Sequence, residues 1–385
     1  VLGLPASVPA EGVRPAPAKC LDHSPLHGKN HDEWPRPPQG DRGYDVLSYD
    51  LEIRVDPSDR TITGVNAIRL RALAGGLERI RLDLVDELAC TGVNGPAGPL
   101  VFTQAGDSLV VRLPVPLAAG DPVAFTIAWE GEPPPHGPFR TGLMFRMHES
   151  GTLGDPSDDV PVIASMSQPW SSHAWWPCKD TPGDKALVSM AVTAPDTLVT
   201  HANGTRLGRT DHGDGWATTR WASEYPVAPY LVSVAVSNYV GQGEACSIPD
   251  HPWVISSWHV FPQHRQAAFV DLGRTCDIME FIAGFAGPYP FHYEGYRQVE
   301  FKWFGSMEHQ TATSLSQIVF TGDRRWEGVV VHELAHQWYG NSLTPAQWSD
   351  IWLNEGFARY VEALWIEHDQ GAAAYQEFMK LIGPG

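Results

Sequence analysis

One segment concentrates residues that could bind a metal: residues 329–338, which read VVVHELAHQW. His332 and His336 are four positions apart, which on a helix puts both imidazoles on one face about a turn apart and suits a single metal ion. The apolar residues around them predict a buried helix, where ionisable side chains are costly unless a cation neutralises and bonds them. The spacing therefore predicts a zinc site at these two histidines.

A carboxylate further along the chain is a candidate third ligand. Eighteen residues separate His336 from Glu355, which lies in the segment WLNEGFA. The linker containing Pro345 allows the second helix to fold back antiparallel to the first, and this would bring Glu355 to the histidine pair. The alternative, a solvated surface glutamate, fits poorly with the apolar residues that surround it. We expect a His/His/Glu site that holds one zinc ion per chain.

The same segment supplies a candidate general base. Three protein ligands would leave the fourth position of a catalytic zinc for water, whose pKa zinc can lower from about 16 to about 7. Glu333 directly follows the first ligand, so its carboxylate could accept the proton of that water and later deliver it to a leaving amine. A purely structural zinc would need a fourth protein ligand, usually cysteine, and no cysteine lies near either predicted helix.

Two regions with different periodicity must position this site. From about Tyr44 to Val240, short β-branched and aromatic runs are separated by Gly, Pro and Asp, which predicts antiparallel strands and an all-β domain over residues 44–243. Residues 244–385 change to a helical period and predict a mainly helical domain. Its predicted helices are 263–285, 325–340, 350–368 and 372–381, with a strand at 297–304. Residues 1–43 are Pro-rich and predict an irregular arm. The expected fold is therefore a multidomain α+β protein.

Composition excludes several classes of function. The 385 residues include 27 Lys and Arg against 45 Asp and Glu, a formal net charge of −18, which argues against nucleic acid as a partner. With 43% hydrophobic and 19% charged residues the chain is expected to fold, and its apolar runs are too short for a membrane span. The Pro- and Ala-rich start at Val1 favours an exported protein, periplasmic or extracellular, over a cytoplasmic one. The five scattered cysteines do not decide the compartment.

These motifs resemble those of a known family. The segments HELAHQWYGN at 332–341 and WLNEG at 352–356 are similar to the aminopeptidase N and leukotriene hydrolase family of zinc metallopeptidases, the gluzincin aminopeptidases of peptidase family M1. The spacing between second histidine and glutamate agrees with that family, whereas thermolysin-type enzymes usually have Asp at the position of Arg359. The resemblance implies an N-terminal antiparallel β-domain followed by a thermolysin-like, mainly helical zinc catalytic domain.

The resemblance extends to residues that would bind the substrate. Residues 305–309, GSMEH, are similar to the family's GxMEN exopeptidase motif, which includes Gly305 and Met307 and in which Glu308 would bind the free α-ammonium group of a peptide. Gln168 stands where the family has a Gln or Glu that anchors the same amine. A carboxylate and an amide carbonyl are suitable partners for an ammonium group. His309 departs from the family pattern, which has Asn there.

The sequence therefore predicts a zinc-dependent aminopeptidase whose substrates are peptides with a free N-terminus. Three alternatives stay open: a non-catalytic zinc-containing peptide-binding or scaffold protein, a zinc endopeptidase, and a lipid-epoxide hydrolase. The family also uses an oxyanion-donating tyrosine well downstream of the third ligand and a C-terminal helical domain, and only 30 residues follow Glu355. We therefore expect a catalytic domain truncated at its C-terminal end, which a missing portion or a complementary chain would complete.

Overall fold

The structure, a computed structural model, describes residues 42–149, 159–248 and 251–382. The predicted arm, residues 1–43, lies outside these ranges except for its last two residues. Within the described ranges, no helix is both long enough and apolar enough to cross a bilayer. Strands dominate up to about residue 260 and helices dominate after it. The prediction of a β-region followed by a mainly helical region is therefore confirmed.

The first region is built around an eight-stranded sheet. In spatial order its strands are β13 (Thr205–Asp211), β14 (Trp216–Ala222), β11 (Leu187–Pro195), β1 (Tyr44–Asp56), β2 (Thr61–Ala72), β8 (Pro122–Gly131), β4 (Leu88–Gly95) and β5 (Gly98–Pro99). Neighbours are antiparallel except β1 and β11, which are parallel. Along β1, Leu51, Ile53 and Val55 are buried while Glu52 and Arg54 are exposed, the alternation that a half-buried strand requires.

Two smaller sheets complete this β-region. One contains β12 (Val199–Ala202), β15 (Val234–Ser237), β10 (Asp159–Met166) and β9 (Gly142–Glu149), and the other contains β3 (Leu77–Asp83), β7 (Ser108–Leu117) and β6 (Val101–Ala105). The larger hydrophobic cluster, here called the β-core, includes Trp129, Trp175 and Trp176. Trp129 lies over Gly64, where an added Cβ would come within 2.5 Å of the indole ring, so this packing requires glycine.

The second region joins a four-stranded sheet to a group of helices. The sheet contains β16 (Val240–Ile248), β17 (His251–Val260), β18 (Tyr296–Phe301) and β19 (Ala312–Ser316), and the helices are α1 (Arg265–Asp271), α2 (Thr275–Ala286), α3 (Glu327–Ala335), α4 (Trp352–Gln370) and α5 (Ala372–Ile382). The domain boundary predicted at residue 243 falls inside β16, which pairs with β17. A disulfide between Cys246 and Cys276 links β16 to α2. Met307 and Trp348 of this region pack into the β-core, so the two regions share apolar contacts.

The helix predicted at 263–285 is interrupted after Asp271, whose side chain bonds a distant loop. Helix α1 ends at Asp271 and α2 begins at Thr275. The Asp271 carboxylate accepts hydrogen bonds from the backbone N–H groups of residues 321–324. Gly273 lies in the break, where an added Cβ would be 2.6 Å from the carbonyl oxygen of Phe269. The helical spacing of apolar residues continues across this break, so the sequence pattern does not indicate that the helix ends there.

The helix predicted at 325–340 is also shorter than its pattern, and it ends at Ala335. The chain turns immediately after it, and Gly340 has a φ of 127°, a conformation that favours glycine. An added Cβ at this glycine would lie 2.8 Å from Nδ2 of Asn354 on α4. This early turn brings the backbone after α3 back onto the helix end, where the predicted metal ligands lie.

Candidate active site

Helices α3 and α4 pack antiparallel and bring the three predicted zinc ligands together. Their contacts run in reverse chain order: Glu327 with Trp365, and His332 with Glu355. The Nε2 atoms of His332 and His336 are 3.0 Å apart, and Oε2 of Glu355 lies 3.3 Å from the first and 3.7 Å from the second. Two neighbouring imidazoles and one carboxylate thus converge at the end of α3.

The hydrogen bonds of both imidazoles determine which ring nitrogens face each other. Nδ1 of His332 donates to Oε1 of Glu362 at 2.7 Å, and Nδ1 of His336 donates to the carbonyl oxygen of Tyr339 at 3.0 Å. Because both Nδ1 atoms donate, each neutral imidazole presents a lone pair at Nε2. Burial disfavours a charge on His336, but the carboxylates of Glu308 and Glu355 outweigh burial and raise its pKa to about 9, so a proton occupies this position when no metal does. Two lone pairs and a carboxylate oxygen of Glu355 at these distances repel one another unless a cation lies among them. This donor set fits zinc.

Glu333 is buried beside these ligands. It is 6% exposed, and its Oε2 has no hydrogen-bond partner among the described residues. Burial raises the pKa of Glu333 to about 8, because low-dielectric surroundings disfavour the charged carboxylate. One carboxylate oxygen each of Glu333 and Glu308 and one ring nitrogen of His336 lie within 4.8 Å of one another. A divalent cation nearby would oppose the effect of burial and stabilise the ionised form.

Glu308 and Gln168 reach the same site from different regions. Glu308 lies between β18 and β19, where its backbone carbonyl accepts a hydrogen bond from Asn341 Nδ2 at 2.6 Å. Its carboxylate Oε1 is buried without a partner among the described residues, and burial raises the pKa of this group. Gln168 follows β10, and its Nε2 donates to Oε1 of Glu355 at 3.4 Å. This orientation directs the amide donor to the carboxylate and leaves the amide carbonyl as an acceptor.

The other residues of the predicted exopeptidase motif support this segment. Met307 is buried in the β-core, and its backbone pairs with Ser314. Gly305 is buried as well. Nδ1 of His309 lies 2.9 Å from the Ser314 hydroxyl, and burial lowers the pKa of His309 to about 3, so this imidazole is neutral. The structure thus places Glu308 at the ligands, while Met307 and His309 contact the neighbouring strand.

Sequence reasoning missed Glu362 and Tyr230. Glu362 lies seven residues, about two helical turns, after Glu355, so a search for a second carboxylate on that face could have found it. The Tyr230 hydroxyl accepts a hydrogen bond from Nδ2 of Asn354 at 3.0 Å and links the β-region to α4. Burial raises the pKa of Tyr230, so it stays a neutral phenol. No local sequence pattern predicts this contact between Tyr230 and Asn354.

Comparison with known proteins gives the same family for both regions. Residues 46–231 match the family model described as the peptidase M1 N-terminal domain, and residues 271–382 match the peptidase family M1 domain. Aminopeptidase B of Mus musculus is 26% identical over 357 residues, which cover 83% of this chain and 50% of that protein. Leukotriene A-4 hydrolase of Xenopus laevis is 24% identical over 329 residues, 83% of this chain and 51% of that protein. The chain therefore spans about half the length of these relatives.

Solved structures of the same family share the fold. The M1 zinc metallopeptidase from Deinococcus radiodurans has a TM-score of 0.77 and 26% identity, and the match covers 90% of this chain and 76% of that one. A mutant of that protein bound to a Tyr-Ser-Ala substrate has the same TM-score and identity, with 90% and 77% covered. Because the two matched models together cover well over half of the chain, and because relatives and solved structures agree with them, this chain belongs to peptidase family M1, the zinc metallopeptidase family that its motifs predict.

Proposed function

We propose that this chain is a zinc-dependent aminopeptidase, with His332, His336 and Glu355 as the ligands of one zinc ion. The observation that carries the proposal is the convergence of two imidazole Nε2 atoms, 3.0 Å apart, with a carboxylate oxygen of Glu355 at the buried end of α3. The family membership and the name of the relative aminopeptidase B support the same activity. The thermolysin-like character of the second region is part of this proposal.

Each side chain has a distinct role in the proposed reaction. Zinc, when bound, would supply a Lewis acid that polarises a carbonyl and acidifies water. Glu333 accepts a proton from the attacking water and returns it to the leaving amine, because its carboxylate lies beside the ligands and Oε2 has no competing hydrogen bond among the described residues. Glu308 pairs with the α-ammonium group of the peptide, and the Gln168 carbonyl accepts a second hydrogen bond from it. Hydrolysis is thereby limited to the first peptide bond.

Glu333→Gln tests the general base. We expect the variant to bind zinc as the unmodified protein does, measured by elemental analysis, while hydrolysis of an aminoacyl-anilide falls by at least about 10²–10⁴-fold. Glu377→Gln, an exposed glutamate on α5, is the matched control and should retain full activity. A Glu333→Gln variant that still hydrolyses at the original rate would exclude this residue as the base.

N-terminal acetylation of the substrate separates the proposal from its rivals. An acetylated peptide lacks the ammonium group that Glu308 would bind, so we expect no cleavage. Internal cleavage of the acetylated peptide would favour a zinc endopeptidase. Stoichiometric zinc without hydrolysis of either peptide by the native protein would favour a peptide-binding or scaffold protein.

We also propose that a further portion of polypeptide, in the same chain or in a complementary one, covers the site. Exposed apolar side chains in the segments that carry the ligands support this, since Leu343 and Trp352 are 68% and 61% exposed and Phe357 and Tyr360 are also exposed. The family's oxyanion-donating tyrosine would come from that portion. The intact mass of the native protein, with identification of any co-purifying chain, tests the proposal. A native protein that is active as residues 1–385 alone would contradict it.

We further propose that the protein is exported to the periplasm or the extracellular space. The Cys246–Cys276 disulfide supports this location, because disulfides persist in oxidising compartments. Fractionation of the source cells, followed by detection of the chain with an antibody, tests it. Recovery of the protein exclusively in the cytoplasmic fraction would refute the proposal.

A further inference from the structure

A second group of potential metal ligands lies in the β-region, outside the candidate active site. One carboxylate oxygen of Asp107 and one ring nitrogen each of His136 and His173 lie within 4.8 Å of one another. We call these three residues the loop cluster, because each comes from a different connection. Asp107 lies between β6 and β7, His136 between β8 and β9, and His173 between β10 and β11. Only the tertiary fold brings them together.

His173 is the fixed member of the loop cluster. It is 3% exposed, and its Nδ1 donates to Oδ2 of Asp180 at 2.6 Å. Asp180 is itself held by a hydrogen bond from its backbone N–H to Asp83 at 2.9 Å. A carboxylate that accepts from Nδ1 leaves the lone pair on Nε2, which is how outer carboxylates orient metal-binding histidines. Glu362 contacts His332 in the same way in the candidate active site.

The other two members are held less tightly than His173: Oδ1 of Asp107 accepts a long hydrogen bond from the backbone N–H of Asp86 at 3.3 Å, and Nδ1 of His136 lies 3.4 Å from the Ser171 hydroxyl. Asp107 and His136 are half-buried, and the His136 ring stands edge-on to that of His173 with 4.7 Å between centroids. The three ligand atoms are at most 4.8 Å apart, so an ion placed about 2.1 Å from the fixed His173 would lie at most about 3.2 Å from the other two, which would need inward shifts of about 1 Å. Small rotations of two half-buried side chains therefore suffice.

We propose that Asp107, His136 and His173 form a second metal site, which binds a divalent transition metal such as zinc through two imidazole nitrogens and one carboxylate oxygen. Two imidazoles favour zinc, cobalt or nickel over magnesium and calcium, which prefer oxygen ligands. The ion would add a direct link among three connections, two of which already touch through His136 and Ser171. One of them carries Gln168, five residues before His173, so the ion also anchors the segment that contacts Glu355.

Equilibrium dialysis of the intact protein at a buffered free zinc concentration, followed by elemental analysis, tests the second site. We expect two ions per chain in the unmodified protein. Asp107→Asn and His136→Gln should each bind one zinc ion, with zinc affinity at the loop cluster at least about 100-fold weaker. Loss of a metal ligand should reduce affinity at least as much as loss of a residue that only hydrogen-bonds to a ligand. His212→Gln changes an exposed histidine of the same region and should still bind two.

His332→Ala separates this proposal from the proposed function. It should lose zinc at the active site and retain one ion at the loop cluster. The second site does not exist if the unmodified protein binds one ion and His332→Ala binds none, or if Asp107→Asn and His136→Gln both still bind two. Thermal unfolding in chelator checks that each variant folds. The two near-isosteric variants test the same site independently, so one misfolded variant does not remove the test.

Discussion

The carboxylate of Glu362 orients His332, and removing its charge tests that role. Its Oε1 accepts from Nδ1 at 2.7 Å in a buried setting, and its Oε2 pairs with Arg359 at 2.5 Å. Glu362→Gln keeps a carbonyl acceptor in place but removes the charge. A charge-assisted hydrogen bond contributes about 1.5–3 kcal/mol and a neutral one about 0.5–1.5 kcal/mol, so the variant should lose about 1–2 kcal/mol. That loss corresponds to zinc binding about 5–30-fold weaker.

Competition with a chromophoric chelator measures the zinc affinity of this variant directly. Glu367→Gln, an exposed glutamate on the same helix, is the matched control and should bind zinc with unchanged affinity. Thermal unfolding of both variants in chelator shows whether the metal-free fold is intact. The reasoning is refuted if Glu362→Gln binds zinc as tightly as the unmodified protein, or if Glu367→Gln loses as much affinity.

Three further predictions concern the free energy of unfolding, measured by urea denaturation. Gly204 has a φ of 78°, and an added Cβ would lie 2.0 Å from a backbone oxygen of β14, so Gly204→Ala should cost at least about 2 kcal/mol. Gly208→Ala, four residues later in β13, meets nothing within 4 Å and should change little, and equal losses would contradict the packing argument. Asp271→Asn replaces a carboxylate that accepts four backbone N–H bonds and should cost about 1–3 kcal/mol, whereas unchanged stability would show that those bonds are dispensable. Replacing Cys246 and Cys276 by serine opens a loop that spans 30 residues and should cost about 3–4 kcal/mol, and no loss would mean that the cysteines are not paired in solution.

The part of the site that sequence reasoning could anticipate depends on helical periodicity. His332 and His336 lie on one face because they are four residues apart, and the linker before α4 determines only that Glu355 can return to them. The zinc assignment itself stays a prediction until metal is measured. Glu362 has the same kind of local signal, because it lies about two helical turns after Glu355 on one helix.

Contacts between distant segments could not be derived in this way. Asp271 ends α1 because its carboxylate bonds a loop about fifty residues later, and no local pattern encodes that interaction. The loop cluster is a second case, since Asp107, His136 and His173 have neither a common period nor a shared element. The early end of α3 likewise depends on the close approach of Gly340 to a neighbouring helix. Local spacing predicted the elements, and tertiary packing decided where they end.

The contact between Gln168 and Glu355 joins groups from two separately matched regions of the chain. Under the proposed function, one region breaks the bond and the other helps to recognise where a peptide begins. A chimera that exchanged residues 46–231 with those of a homologous enzyme would then inherit new preferences for peptide termini while keeping its hydrolytic chemistry. Recombination between the two matched regions could therefore change the range of substrates while the catalytic groups stay the same.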